Sequence, residues 1–454
     1  MATAGASIRP RPGDVLQLRV GDLAFGGAGV ARLEGYVVFV DGGMPGDVVR
    51  AEVTKSKRAY AQARAVEVLE EGPDRIAPAA PGHPGAPWQV LPYARQLEVK
   101  QAQVADALRR IGGLEDFELE PMVPAPQTWR YRNKVEYSFG DDDAGELVCG
   151  FHAPGRFDRI EPMRDDHLAS EAVNALRERV VAWCRAEALA AYDRRAHEGL
   201  LRNLVVRESR RGGALQARLV TSPGDLRIDD LAAVAEADGF FWTRSDSMGE
   251  TTAGGDTELV AGDPYLEEEL GGLRFRISPE AFFQTNTEMA ERLYGVAAEY
   301  AALAGWERVY DLYCGIGTVG LTLGARAAEL WGLEIAEEAV ADAIENARLN
   351  EVEHARFFAG DVRLALPELL AKAGRPDLLV VDPPRAGLSQ KVVRRVIETA
   401  PRRIVYVSCN PTTLAPNAAQ LRDAGWALRR VRPVDMFPQT PHIECVALLE
   451  RADA

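Results

Sequence analysis

At 454 residues the chain is long enough for two to four domains of roughly 100 to 200 residues each, which excludes a single small binding module. Its 53 Lys and Arg against 68 Asp and Glu give a net charge of −15, and 47% apolar with 27% charged residues is ordinary soluble globular composition. No apolar run approaches the roughly 18 residues that cross a bilayer, and the opening MATAGASIRPRP lacks the apolar stretch of a secretory leader, so a cytoplasmic chain without a membrane partner is expected.

From Val15 to Leu69 the reading is short strands, LQLRV, YVVFV, VVRAEV and AQARAVEVL, with GDLAFGGAGVARLEG and DGGMPGD as Gly-rich turns between them. This predicts a small closed β-barrel of about five strands. Residues 72–92, GPDRIAPAAPGHPGAPWQVLP, carry six prolines and read as a linker. Helical periodicity resumes at Tyr93 and runs to the double glycine Gly112-Gly113. Between Met122 and Leu273, strand-like RNKVEYSF and LRNLVVRES mix with a helix expected from Ser170 to about Ala191. After Phe282 strands and helices alternate, which predicts a doubly wound α/β domain with a mainly parallel sheet. In such sheets ligands bind beyond the carboxyl ends of the strands.

The polar residues fall at those ends. Strand RVYDL leads into Tyr313-Cys-Gly-Ile-Gly-Thr318, where Gly315 and Gly317 let the backbone turn and approach a ligand; a plain tight turn is the competing reading. Glu334 ends the next strand, 19 residues past Gly315, where an acid can hold both hydroxyls of a ribose. Asp361 ends the third strand, in reach of an adenine edge. There is no full GxGxxG and no GxxxxGK[ST], so an adenosine without a phosphate chain fits best, and S-adenosylmethionine is the expected cofactor. Two further strands stop at a polar residue followed by proline or an Asn-Pro turn: LLVVDPPRAGLS at Asp382 and VYVSCNPTTLAPN at Cys409. The five cysteines, Cys149, Cys184, Cys314, Cys409 and Cys445, show neither CxxC pairs nor the density of a disulfide framework. Only Cys409, at a strand tip on the cofactor edge, reads as chemical rather than as packing.

An acidic total argues against nucleic acid unless a local basic face survives. Residues 9 to 64 hold nine Lys or Arg against six acids, with Lys55, Lys57, Arg58 and Tyr60 together in KSKRAYAQAR, either a phosphate-and-stacking surface or a solvated strand edge. A second basic string, WRYRNKVEY, carries Arg130, Arg132 and Lys134.

The ordered strings FFQTN, YDLYCGIGTVGLTL, VDPPRAGL, VYVSCNPTTLAPN and DMFPQTPHIECVALLE resemble the motif set of the RNA 5-methyluridine (uracil-C5) methyltransferases, and residues 13 to 70 resemble the TRAM domain, an OB-like RNA-binding barrel. The resemblance implies four parts: a TRAM barrel over 8–71, a Pro-rich linker over 72–92, an α+β RNA-binding middle domain over 93–274, and a Rossmann-like catalytic domain over 275–454. It implies Cys409 as a thiolate adding to uracil C6 and Glu444, in PHIEC, as the base that removes the C5 proton. It implies Gln284, Tyr313, Glu334 and Asp382 as cofactor-site residues, and RNA contact by Arg130, Arg132 and Lys134. His442 reads as a packing or hydrogen-bonding neighbour. RNA is the expected partner, ribosomal RNA before transfer RNA by analogy with the TRAM-bearing bacterial relatives, and a monomer is expected. Many relatives hold an iron-sulfur cluster, with cysteines just before the helix that here begins at Tyr93. This chain has no cysteine before Cys149, so neither a cluster nor any other metal is expected. Methylation of another atom would leave Cys409 and Glu444 without a job, and a catalytically idle RNA-binding protein would show damage to that pair.

Overall fold

A computed structural model describes residues 9–451 apart from 154, 157 and 250, so residue 8 at the expected start of the barrel and residues 452–454 of the expected catalytic domain lie outside the described residues. Strands β1 (Val15–Leu23), β2 (Gly29–Leu33), β3 (Tyr36–Asp41), β4 (Val48–Ser56) and β5 (Tyr60–Glu70) close a barrel in the order β1-β2-β3-β5-β4. Period-two alternation sends Leu18, Val20, Val38, Val40, Val49, Ala51 and Val53 inward. The stretch GDLAFGGAGVARLEG was expected to be a turn throughout, yet β2 lies inside it. Five residues starting on a glycine give too little alternation to see, and Gly29 is required because a Cβ there would stand 2.6 Å from the Gly43 carbonyl oxygen.

Residues 72–92 form a packed strap, not a free linker. Buried Asp47 of the barrel accepts from Arg75 Nε at 2.9 Å and from the amides of Gly72 and Met44. Trp88 is fully buried with Leu23, Met44, Leu91 and Val99. Proline removes donors that a helix needs, but it does not prevent an irregular segment from burying an aromatic side chain.

Helix α1 (Tyr93–Asp106) runs on through one π-helical turn, Ala107–Ile111, into Gly112-Gly113. The short strand β6 (Glu118–Leu119) follows. The middle of the chain then forms a seven-stranded sheet ordered β13-β12-β11-β10-β7-β8-β9. Its strands are β7 (Lys134–Asp141), β8 (Leu147–His152), β9 (Ile160–Pro162), β10 (Leu201–Glu208), β11 (Leu215–Thr221), β12 (Gly239–Arg244) and β13 (Asp256–Gly262). Helices α2 (Glu171–Ala186), capped by the Ser170 hydroxyl, and α3 (Ile228–Ala235) cover one face over a core of Val135, Tyr137, Phe139, Leu176, Leu204 and Leu219. Helix α2 ends five residues short of Ala191.

A hairpin, β14 (Leu266–Leu270) and β15 (Leu273–Ile277), leads into the α/β domain. Its elements are α4 (Thr287–Ala301), β16 (Arg308–Leu312), α5 (Thr318–Gly324), β17 (Glu329–Glu334), α6 (Glu337–Leu349), β18 (Ala355–Ala359), α7 (Val362–Ala373), β19 (Leu378–Val381), α8 (Gln390–Thr399), β20 (Arg403–Ser408), α9 (Pro411–Asp423), β21 (Trp426–Val434) and β22 (Glu444–Arg451). The sheet runs β18-β17-β16-β19-β20-β22-β21-β6. Strands β16 to β20 are parallel and β22 is antiparallel to both neighbours. The chain winds outward from β16 to β18 and then returns to β19 on the other side, so the switch point lies between β16 and β19. Helix α7, absent from the sequence reading, carries Pro367 in its middle, which masks the helical pattern.

The front of the expected middle domain, 93–123, packs elsewhere. Val104, Leu108 and Leu114 join the core of the catalytic sheet, and β6 pairs parallel with β21 at its edge. A buried ion pair between Lys100 and Asp435, at 2.6 Å with neither side chain exposed, fixes the same contact.

Candidate active site

A cleft of about 950 Å³ opens at the carboxyl ends of β16 to β20, over the switch point. Its cofactor half is built from turns. Tyr313 leaves β16 with φ +64°, a left-handed conformation that is costly for a tyrosine, and its amide donates to the Leu333 carbonyl at 2.8 Å. Gly317, at φ +86°, starts α5; a Cβ there would press on Leu321 at 3.1 Å. Asp311 inside β16 accepts from the Gly320 amide at 2.8 Å and so staples the loop to the strand. Burial pushes Asp311 up to about 8.

Glu334 takes three backbone N–H groups, from Gly315 at 3.2 Å, Ile335 at 2.7 Å and Ala336 at 3.0 Å, which fixes its carboxylate at the strand tip on the cleft wall. Asp361 also lines the cleft, although one of its oxygens caps α7 through the Arg363 amide at 2.7 Å. Ile335, 67% exposed, and Val362 supply apolar surface beside these acids. The donor set fits S-adenosylmethionine: acids suited to ribose hydroxyls, an apolar wall for a purine, and negative charge that favours a sulfonium and opposes a phosphate.

The other half of the cleft gathers Asp382, Cys409 and Glu444, with Gln284 and Tyr294 beside them. The Gln284 carbonyl is held by the Asn133 side chain at 2.8 Å. Burial pushes Asp382 up to about 7. Burial, then the Asp382 charge, raises Glu444 well above the usual carboxylate range. Cys409 rises to about 11 through burial and the two acids, with Arg385 opposing. His442 is pushed down to about 4 by burial and by Arg385, Arg132 and Lys100, and stacks edge-on to Phe437 at 5.7 Å, so it is a neutral neighbour. Burial thus raises both acids and the thiol on one side of the cleft.

This has a cost in stability with a definite sign. Asp382 keeps its proton in the folded chain up to about pH 7, whereas an unfolded aspartate loses it near pH 4. The contribution of Asp382 to folding stability is therefore full below about pH 4 and is lost as pH rises through about 7. Asp382→Asn is expected to raise the melting temperature of the catalytic domain by a few degrees at pH 8 and hardly at all at pH 4. Equal shifts at both pH values in a calorimetric scan would show that the aspartate is not raised.

Arg385 and Phe282 line the cleft but received no role from the sequence. Arg385 follows the Pro383-Pro384 turn; its carbonyl accepts from Asn410 Nδ2 at 3.2 Å and Thr413 Oγ1 at 3.3 Å, which ties its loop to that of Cys409. The DPPR string was its only signal. Phe282, 67% exposed at the mouth, was marked by the double aromatic of FFQTN.

The basic residues divide. Arg132 lines the cleft. Lys134 does not line it and sits 2.7 Å from Glu136. Arg130 does not reach the cleft: it forms a two-point pair with Asp165 at 2.6 and 2.7 Å and donates to the carbonyls of Asp166 and Ala169, so its donors hold a loop of its own chain. Lys55, Lys57 and Arg58 are exposed on the β4–β5 hairpin, outside the cleft, and Tyr60 packs edge-on to Phe39 at 5.5 Å. An iron-sulfur cluster does not fit the donor set: Cys149 and Cys184 are buried in the core of the middle sheet, and no three His, Cys, Asp or Glu side chains converge as a metal site among the described residues. Just before the helix that begins at Tyr93 the chain has the strap, with His83 bonded to buried Asp166 at 2.9 Å.

The family model for tRNA (uracil-5-)-methyltransferases matches residues 256–452, and that for the TRAM domain matches residues 9–66. An uncharacterized RNA methyltransferase of Chlorobaculum tepidum is 38% identical over 98% of this chain and 98% of its own length. Another, of Bacteroides thetaiotaomicron, is 37% identical over 94% and 100%. The crystal structure of Pyrococcus abyssi tRNA (uracil-54, C5)-methyltransferase in complex with S-adenosyl-L-homocysteine aligns over 95% of this chain and 99% of that one, with a TM-score of 0.79 and 28% identity.

Proposed function

The chain belongs to the RNA (uracil-C5) methyltransferase family, with a TRAM domain in front, and from that premise we propose that it methylates a ribosomal uridine through a covalent bond from Cys409 to uracil C6. That it is an S-adenosylmethionine-dependent RNA uracil-C5 methyltransferase follows from the family and the structural neighbour. The observation that carries the mechanism is the meeting of Cys409, Glu444 and Asp382 in one cleft with the Glu334 and glycine-loop half.

Uracil C5 is a weak nucleophile. Addition of the Cys409 sulfur to C6 moves the C5–C6 electron pair toward O4, and C5 of that enolate then attacks a methyl group. When bound, S-adenosylmethionine supplies that methyl as an electrophile and brings positive charge into an acidic cleft. Cys409 lies near 11 in the free protein, so its thiolate needs nearby positive charge, which Arg385 provides from this chain. Glu444, once ionised, is a stronger base than an exposed glutamate; it takes the C5 proton, the C5–C6 double bond re-forms and the sulfur leaves C6. Asp382 faces the uracil edge. Gln284, Tyr313, Gly315, Gly317, Glu334 and Asp361 hold the cofactor. Arg132 and the hairpin residues Lys55, Lys57, Arg58 and Tyr60 contact RNA.

Glu334→Ala removes a fixed acceptor at a strand tip without touching the core. It is expected to weaken S-adenosylmethionine binding about 10- to 100-fold in calorimetry, with the fold intact. Unchanged affinity would remove Glu334 from the cofactor site. Ribosomal RNA rests on the analogy with TRAM-bearing relatives; a transfer RNA substrate is the second reading, favoured by the tRNA named for the Pyrococcus abyssi enzyme. Mapping 5-methyluridine in both RNAs from cells with and without the gene decides between them. Loss from neither RNA overturns the function.

A further inference from the structure

Beside the cleft, and sharing Arg132, Phe282 and Thr285 with it, lies a second cavity of about 410 Å³ whose remaining wall includes Lys134, Glu136 and Phe151. Its volume falls within the roughly 300–1,000 Å³ of small-ligand sites. The sheet behind it has an unusual face. One side of the middle sheet is apolar under α2 and α3. On the other, antiparallel register sets Lys134 opposite Arg207 and Arg207 opposite Gln216, while Glu136 faces Val205 and Val205 faces Arg218. Residues directly opposite share a face, so Lys134, Arg207 and Arg218 crowd together with Glu136. Arg207 and Arg218 are 2% and 3% exposed.

This charge is not balanced. Glu136 pairs with Lys134, and Glu280 with Arg218 at 3.0 Å; Arg207 donates to the Ala281 carbonyl at 2.7 Å and feels the charge of Asp342, while Arg132 has no carboxylate partner among the described residues. Arg132 Nε, Arg207 Nε, Arg207 Nη1 and Arg218 Nε are buried without any acceptor in the protein. Burying a charged donor without an acceptor is expensive, and Arg132, which lines the cavity, is suited to an anion entering there. Burial and the Arg207 charge hold Lys134 below the usual lysine range, as a crowded cation cluster requires. On the aromatic wall, Phe151 packs against Tyr137 at 5.3 Å and His83 at 5.9 Å.

We propose that this second cavity is the subsite for the nucleotide adjacent to the target uridine, its phosphate bound by Lys134 and Arg132 and its base placed against Phe151. The assignment rests on the proposed function, because a nucleotide next to the uridine exists only if RNA uracil occupies the cleft. Glu136, held by the Thr252 hydroxyl at 2.8 Å, offers an acceptor to a ribose hydroxyl, a feature of RNA that DNA lacks.

The test uses the full-length protein and a stem-loop RNA cut around the uridine that cellular mapping identifies. Lys134→Gln is expected to raise the KM for that RNA about tenfold, with the loss on KM rather than kcat, and to lower the salt slope of binding by about one unit. Lys134→Arg should restore both. In the wild type, one uncharged methylphosphonate linkage within two nucleotides of the uridine should cost about the same tenfold, and in Lys134→Gln that linkage should cost nothing more. A fluorescent 2-aminopurine next to the uridine should be quenched on binding to the wild type. Unchanged KM and salt slope in Lys134→Gln, or equal methylphosphonate penalties in both proteins, overturns the subsite. If the wild type methylates no uridine at C5 the underlying function fails instead, an outcome visible before any variant is made.

Discussion

Cys409→Ala is expected to abolish methyl transfer, whereas Glu444→Gln is expected to stall after it. Without the sulfur there is nothing to add to C6, so neither methylated RNA nor a covalent protein–RNA species should form. Glutamine keeps the size and polarity of Glu444 but accepts no proton, so release should slow by roughly a hundredfold or more. A methylated adduct should then accumulate, survive denaturing electrophoresis, carry label from the methyl donor and disappear in the double variant. RNA with 5-fluorouridine at the target should trap the wild type in the same way, since fluorine does not leave as a proton. In the wild type the rate should fall as pH drops through about 7, because Asp382, pushed up to about 7, gains a proton there, and burial raises Glu444 in the same direction. Residual methylation by Cys409→Ala, or a fluorinated RNA that is never trapped, would contradict the covalent route.

The second large effect concerns the barrel. Lys55, Lys57 and Arg58 form no ion pair among the described residues, and Arg9 Nε donates to Ser56 on the same hairpin at 3.0 Å. Replacing the three by alanine is expected to lower the salt slope of RNA binding by about two to three units and affinity about a hundredfold at 0.1 M salt, since each phosphate contact contributes roughly 0.7 to 0.9 to the slope. Deleting the barrel is a poorer experiment. Gly27 sits so close to Pro441 that a Cβ would stand 2.9 Å from its ring, and Leu23 and Met44 cover Trp88, so truncation would strip the strap and the loop before Glu444 as well. Filter binding across a salt series checks the substitution; an unchanged slope would mean that the hairpin does not face RNA.

What the sequence makes legible follows from distance along the chain. The strand ends at Tyr313, Glu334, Asp361, Asp382 and Cys409 can be read because each lies where a buried apolar run stops, and the parallel topology then brings those ends to one edge. The barrel's alternation gives its closed form, apart from β2. Contacts between distant segments left no local trace. The strap reads as a linker because its burial partners lie in the barrel, in α1 and at Gln439, whose carbonyl accepts from the Trp88 amide at 2.9 Å. Arg130 reads as an RNA contact because its Asp165 partner is 35 residues away. Lys100 gives no hint of Asp435, 335 residues on. Arg385 carried its signal in a short motif whose aspartate drew the attention.

The pairing of β6 with β21, and of α1 with the core under α9, also sets a timetable. The ribosome completes the apolar stripe of Val104 and Leu108 roughly 300 residues before it makes Trp426 and the strands that cover it. At about 5 to 20 residues per second that interval lasts some 15 to 60 s. The sheet spanning Lys134 to Gly262 draws all its strands from chain made within that interval, whereas the helix ahead of it has to wait for its covering strands. Slow elongation late in the message therefore prolongs the stage at which the nascent chain is most open to chaperones and to aggregation.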